Sequence, residues 1–271
     1  MSGISSGARP RVWTQTPESP PDGRLTGRIG AGAPRRYDGP VNYALAERAS
    51  AVVAAVATPC VVVALAVLLF LNPIWVGFDQ DRSGVDRLTG YTPGQVRDVT
   101  GSVLSDLVFG PPHFDVTLPG ATAPVLDASE RSHMADVRTV LMGLGFVALI
   151  AAILLLVVGL ASRGRRWFWR AVAVGARVLV VGVVVVGLGF AVFFDQAFEL
   201  FHEIFFAPGT YMFDPRTEKL VQLFPDQFWS ETSVALAGAV LVLAILAALV
   251  GGRLGREPGA SPEALTPVVE P

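Results

Sequence analysis

Charge is scarce in this chain of 271 residues. Only 16% is Asp, Glu, Lys or Arg, where a soluble domain of this length carries roughly a quarter. The deficit argues against a soluble fold. Cysteine is scarcer still. The single cysteine, Cys60, rules out an internal disulfide, so no small cross-linked scaffold is built outside the cell. Within an apolar run it reads as a small packing residue. A formal net charge of -2 supplies no basic footprint, so no nucleic-acid partner is expected. Histidine occurs three times, at positions 113, 133 and 202. Familiar catalytic signatures are missing as well. There is no P-loop. HEIFF begins like a zinc-protease helix, but Phe206 stands where the second histidine belongs. Zinc could still be assembled from His133, His202 and a carboxylate, ligand types that suit it, although no cofactor is expected.

What the chain has instead is hydrophobic length. Four apolar runs cover 49 to about 71, 137–160, 171–194 and 232–250. Runs of about 20 residues span a bilayer. The expected fold is therefore an all-α polytopic membrane protein, a four-helix transmembrane bundle with a small extracytoplasmic cap. The first run is longer than a signal-peptide core of roughly 7–15 residues and reads as a retained anchor. Pro59 within it removes one backbone bond and favours a kink. Residues 1–44 and 251–271, rich in Pro and Gly, read as disordered tails around a membrane domain of 45–250.

The cap is expected from 72–132 and 198–230. Thr92 followed by Pro93 is a helix start. Val96, Val99, Val103 and Leu107 repeat at helical spacing, predicting an amphipathic helix over 93–108. Gly110-Pro111-Pro112 ends it. Phe114, Val116 and Leu118 alternate with polar residues and predict a short strand. Trp75 and Tyr91 mark the lipid-water boundary. Basic residues set the orientation. Fourteen lie in the two tails and the middle loop with its flank, against seven in the other two segments. By the positive-inside rule this is a multi-pass cell-membrane protein with both termini cytoplasmic. All three histidines then face outward.

Two histidine stretches stand out. In ERSHMADVR, a helix capped at Ser129 would place His133, Asp136, Val137 and Val140 on one face. Asp136 would orient His133, and Arg138 would offer an anion or carbonyl contact at the membrane surface. In FELFHEIFFAPGTYMFDP, a third helix continuing past the membrane would put Asp195, Glu199 and His202 at i, i+4 and i+7, one polar stripe among phenylalanines. Carboxylates at the edge of hydrocarbon are costly unless paired or functional. Pro208-Gly209 ends that helix and Asp214-Pro215 makes a turn. His133 and His202 are therefore the paired candidates, with Asp136, Glu199 and Arg138 around them. His113 lacks such a setting and reads as a loop residue.

GYTPGQVRDVTGSVLSDLVFG, then ERSHMADVRTVL, then FHEIFFAPGTYMFDP and LVQLFPDQFW, with these spans between them, resemble the bacterial integral membrane family that includes lipoprotein intramolecular transacylase (Lit). The resemblance covers 91–229. Its most specific parts are His-Met-x-Asp-Val-Arg and Phe-His-x-x-Phe-Phe. It implies that His133 and His202 match the family's two functional histidines. It also implies an acyl transfer within a diacylated lipoprotein, from the diacylglyceryl group to the amine of the N-terminal cysteine, with membrane lipid and lipoprotein as partners. Departures exist: Tyr211 replaces an expected tryptophan, Glu218-Lys219 replaces an acidic-Pro pair, and the Arg-rich N-terminal segment is long. A non-catalytic protein binding a lipid or partner in an outward-facing cleft is the alternative.

Overall fold

The computed structural model describes residues 40–256. The described residues are helical, with α1 Pro40–Phe70, α2 Pro73–Arg82, α3 Val85–Thr89, α4 Pro93–Val108, α5 Ala128–Ala161, α6 Arg166–Val192, α7 Phe194–Phe205, α8 Lys219–Leu223 and α9 Asp226–Leu254. Most of both expected tails lies outside them. Residues 40–44, assigned above to the first tail, instead open α1, and 251–254 close α9.

Four of these helices, α1, α5, α6 and α9, are long and apolar enough to cross a membrane. They form the expected bundle. α6 packs along α9, α1 packs on both, and α5 lies on the outer side of α1. Val62 and Ala66 of α1 meet Val240 and Ala244 of α9, with Leu179 and Val183 of α6 closing that layer. Large apolar side chains such as Val56, Leu68, Phe146 and Val185 face outward. In water such a surface would be costly; in hydrocarbon it is the required one.

Small residues bring the helices close, as lipid-embedded packing demands. Pro59 has no N–H to give to the carbonyl of Ala55, four residues back. That same carbonyl oxygen lies so near Gly175 of α6 that an added Cβ would overlap it. The proline frees the acceptor, and the glycine lets a neighbouring backbone approach it, a Cα–H···O contact. α1 nevertheless remains one helix through Pro59.

The cap rests on one end of the bundle. α4 starts as expected. Thr92 accepts from the Gln95 N–H, and Gln95 answers at the Thr92 N–H. Its apolar face, Val96, Val99, Val103 and Leu107, joins Val85, Phe114, Leu126, Met134, Leu220 and Leu223 in one core. Segment 72–132 and segment 198–230 thus share a core, and α5 extends into it through Met134. The expected strand is absent: among the described residues no strand forms. Its alternation is real, since Phe114 is buried and Val116 and Leu118 are half-buried between exposed neighbours. No second strand pairs with it, however, and the nearest ladder-like bond is a single one from the Val125 N–H to the Val116 carbonyl at 2.8 Å. Period-two burial comes here from an extended segment lying across helices.

Candidate functional site

Each histidine is set by its helix. α5 is capped by Asp127, two residues before the expected Ser129. Asp127 accepts from the N–H groups of Ser129 and Glu130, and the Glu130 carboxylate returns to the Asp127 N–H at 2.6 Å. Those backbone N–H groups and the Ser129 hydroxyl hold the Asp127 carboxyl below its ordinary range. The cap fixes the first turn of α5 and so the place of His133, which lies one turn beyond Glu130.

The third helix does not run on through His202. It breaks at Phe193, whose φ of -127° and ψ of 48° leave the helical region, and α7 starts anew. Within α7 the spacing of Asp195, Glu199 and His202 holds. The His202 Nδ1 lies 2.8 Å from the Phe198 carbonyl oxygen. A carbonyl only accepts, so Nδ1 carries the hydrogen and Nε2 of the neutral ring carries the lone pair. α7 stops at Phe205, ahead of Pro208, with Gly209 at a φ of 84°. The chain then turns at Asp214, which accepts from the Arg216 N–H at 2.9 Å.

These elements bring the two imidazoles together. Their ring centroids are 6.0 Å apart and the planes differ by 22°, a stacked pair. Phe206 and Phe213 meet the His133 ring edge-on at 4.8 and 5.4 Å. Phe198 and Tyr211 cover His202 at 4.4 and 5.1 Å. His133 is 6% exposed, and its Nδ1 is buried without a hydrogen-bond partner. Buried polar atoms are nearly always paired, so this nitrogen marks a place for a polar group that visits. Two positive imidazoliums at that separation would repel.

The other three candidates fall differently. Asp136 and Glu199 are both exposed, and among the described residues no hydrogen bond joins either to an imidazole. His202 is instead oriented by the Phe198 carbonyl. Arg138 donates through Nη1 to the Asp106 carbonyl at the end of α4. That contact is to the cap's own backbone. His113 is an exposed loop residue. Among the described residues no group of three or more metal-ligating side chains is assembled.

One residue escaped the sequence reading. Glu130 is 1% exposed, and beyond its own cap it accepts from the Leu220 N–H at 2.6 Å. It ties α8, and so the loop that carries Tyr211 and Phe213, to the turn that carries His133. The Asp-x-x-Glu spacing of a capping box was the signal available.

A four-span bundle whose cap presses two imidazoles together inside an aromatic wall defines a membrane protein with a candidate acid–base site at the end of its bundle. The sequence profile of the lipoprotein intramolecular transacylase Lit family matches residues 52–229. The chain belongs to that family. Its fold is similar to the in meso structure of the membrane integral lipoprotein intramolecular transacylase Lit from Bacillus cereus. The TM-score is 0.66 at 18% identity, over 78% of this chain and 96% of that one. The same Bacillus cereus protein with one histidine replaced by arginine gives 0.64 at 18% identity, over 78% of this chain and 93% of that one. No curated protein matches.

Proposed function

We propose that this protein moves one acyl chain within a diacylated bacterial lipoprotein, from the diacylglyceryl group to the amine of the N-terminal cysteine. The observation that carries the reading is the stacked His133–His202 pair, with the His202 lone pair placed on Nε2 by the Phe198 carbonyl. The cysteine nitrogen attacks the ester carbonyl. An amine of this kind has a pKa of about 8, and an imidazole at about 6.5 is close enough to take its proton. His202 Nε2 accepts that proton. His133, with a ring N–H facing the developing oxyanion, stabilises the tetrahedral intermediate. Collapse breaks the ester C–O bond, and the proton on His202 passes to the departing glyceryl oxygen. One C–N bond replaces one C–O bond, a proton moves from nitrogen to oxygen, and the total mass is unchanged. Nothing in that balance calls for a cofactor.

The orientation belongs to the same proposal. The excess of arginine in the tails and the middle loop supports cytoplasmic termini, which puts the pair at the outer headgroup layer. Lipid esters lie at that depth.

The test is expression in a bacterium that makes diacylated lipoproteins, followed by mass spectrometry of a lipoprotein's N-terminal peptide. The wild-type chain shifts one acyl group onto the cysteine nitrogen at constant total mass, and His133→Ala and His202→Ala do not. Unchanged acylation with wild type, when the protein is present in the membrane, refutes the reading. Retained activity in both variants refutes the roles.

A further inference from the structure

At the other end of the bundle, far from the histidines, lies an open cleft of about 670 Å³. It is lined by Arg170, Ala173, Val174 and Arg177 of α6, Gly252 of α9, and Gly255 and Arg256 just beyond it. We propose that this cleft binds the phosphate of an anionic membrane lipid.

Arg177 carries the argument. It stands eleven residues into α6, within the stretch 166–190 that is apolar enough to span a membrane. At a rise of about 1.5 Å per residue that is roughly 16 Å from the start of the helix. A guanidinium there is expensive unless it faces a cavity or a partner, and such a residue marks a site. Among the described residues, no carboxylate lies within ion-pair distance of Arg177 or Arg256. No acidic side chain is among the lining residues either. The counter-charge has to come from outside this set.

The cleft is shaped for these arginines. Arg170 and Arg177 are seven apart, two turns along one face of α6. Opposite them α9 has glycines. A Cβ on Gly252 would stand 3.4 Å from Arg177 Nη2, and one on Gly255 would stand 2.8 Å from Arg170 Cγ. The Arg170 Nε donates to the Gly255 carbonyl at 2.7 Å, which fixes its stem across the helix end. Guanidinium groups gathered this way suit the oxygens of a phosphate.

A lipid rather than a soluble anion follows from what adjoins the cleft. Val174 forms part of its wall, and Val178, Val181 and Val185 continue from it along α6. All four are exposed, from 49% to 65%. The ridge runs from the arginines into the hydrocarbon layer, offering acyl chains a surface directly below a bound headgroup. Basic pockets between helices are the known form of such lipid recognition.

The experiment reads lipid preference with the full chain in detergent. Phosphatidylglycerol or phosphatidylcholine is titrated and binding is followed by thermal shift and by native mass spectrometry. Wild type should prefer the anionic lipid by at least about ten-fold, and Arg177→Gln with Arg256→Gln should bring the two lipids within about two-fold, with melting in lipid-free detergent unchanged. The proposal is overturned by equal affinity of wild type for the two lipids, as when the chain's own residues close the cleft, or by equal stabilisation by inorganic phosphate. A double variant that keeps the full preference also overturns it, because the phosphate then binds elsewhere.

Discussion

Removing the Glu130 carboxylate should loosen the cap more than removing any exposed carboxylate in the chain. Its two oxygens accept from the backbone N–H groups of Leu220 and Asp127, both at 2.6 Å, at a site 1% exposed. A charge-assisted hydrogen bond contributes about 1.5–3 kcal/mol, and a buried N–H left without its partner costs about 1–3 kcal/mol. The Leu220 N–H is buried and has no water to replace the carboxylate, while the Asp127 N–H lies at the more open helix start. Most of the loss therefore comes from the Leu220 bond. Glu130→Ala is expected to cost about 3 kcal/mol. For a chain of this size that lowers the melting temperature by roughly 6–12 °C. Glu130→Gln keeps one acceptor oxygen and should lose about half as much. Thermal unfolding in detergent, followed by tryptophan fluorescence, gives the total. Hydrogen exchange gives the location: the Leu220 amide should exchange faster before any bundle amide does. An alanine variant within about 0.5 kcal/mol of wild type, the range of ordinary surface changes, would refute the tie between α5 and α8.

Three further outcomes are expected. In the acylation assay, His202→Ala should lower the rate by about 10²–10⁴-fold as the loss of a general base, and His133→Ala by about 10²–10³-fold as the loss of an oxyanion donor. If the pair acts as a unit, as proposed, the double variant should be little worse than the poorer single one; full multiplication of the two losses would argue against a shared site. Gly175→Ala should cost about 1–3 kcal/mol as overpacking against the Ala55 carbonyl, and normal melting of that variant would contradict the close approach of α1 and α6. Asp79 is fully buried, and burial raises its carboxyl above the ordinary value, with Thr232 pulling it down and Glu231 pushing it up. Its folded pKa thus exceeds the unfolded one. The cost of its charge is present above the folded pKa and vanishes as pH falls below the unfolded value of about 3.9. Asp127, shifted the other way, loses its contribution over falling pH. The clean measurement is therefore the difference in melting temperature between wild type and Asp79→Asn, which should shrink as the medium is acidified; a constant difference would deny Asp79 the shift.

The spans were legible because bilayer thickness demands long apolar runs and nothing else in a chain imitates them. α4 was legible because Thr92-Pro93 and its four-residue apolar rhythm agree with each other. The histidine pair was legible as a pair, since both residues lie just beyond an apolar run. What holds the pair was not. Glu199 has helical spacing to His202, but an exposed carboxylate beside water gains little from a ring that the Phe198 carbonyl, always in reach at i-4, already holds; Asp136 is exposed while His133 is buried, so the two part despite their spacing. Glu130 was not singled out because its role depends on Leu220, ninety residues away. The strand over 114–118 failed for the same reason: alternation reports burial on one side, and a ladder needs a partner that local sequence does not supply.

The break at Phe193 decides where His202 sits. An unbroken helix from Arg166 to Phe205 would hold 40 residues. At about 1.5 Å each that is roughly 60 Å, twice a hydrocarbon layer of about 30 Å. His202, ten residues past Val192, would then stand about 15 Å beyond the end of α6. His133 sits only four residues before the apolar run of α5, so a straight continuation would carry the partners apart. The bend keeps α7 against its neighbours and returns His202 to ring contact with His133. It also leaves Leu200, Phe201, Ile204 and Phe205 exposed, while Asp195, Glu199 and Glu203 supply the polar side. A helix with that division suits a place along the interface rather than across it. Its apolar side would rest among lipid chains while its histidine meets the groups at headgroup level. On the proposed function, the bilayer that supplies the lipid ester would also hold the helix that carries His202.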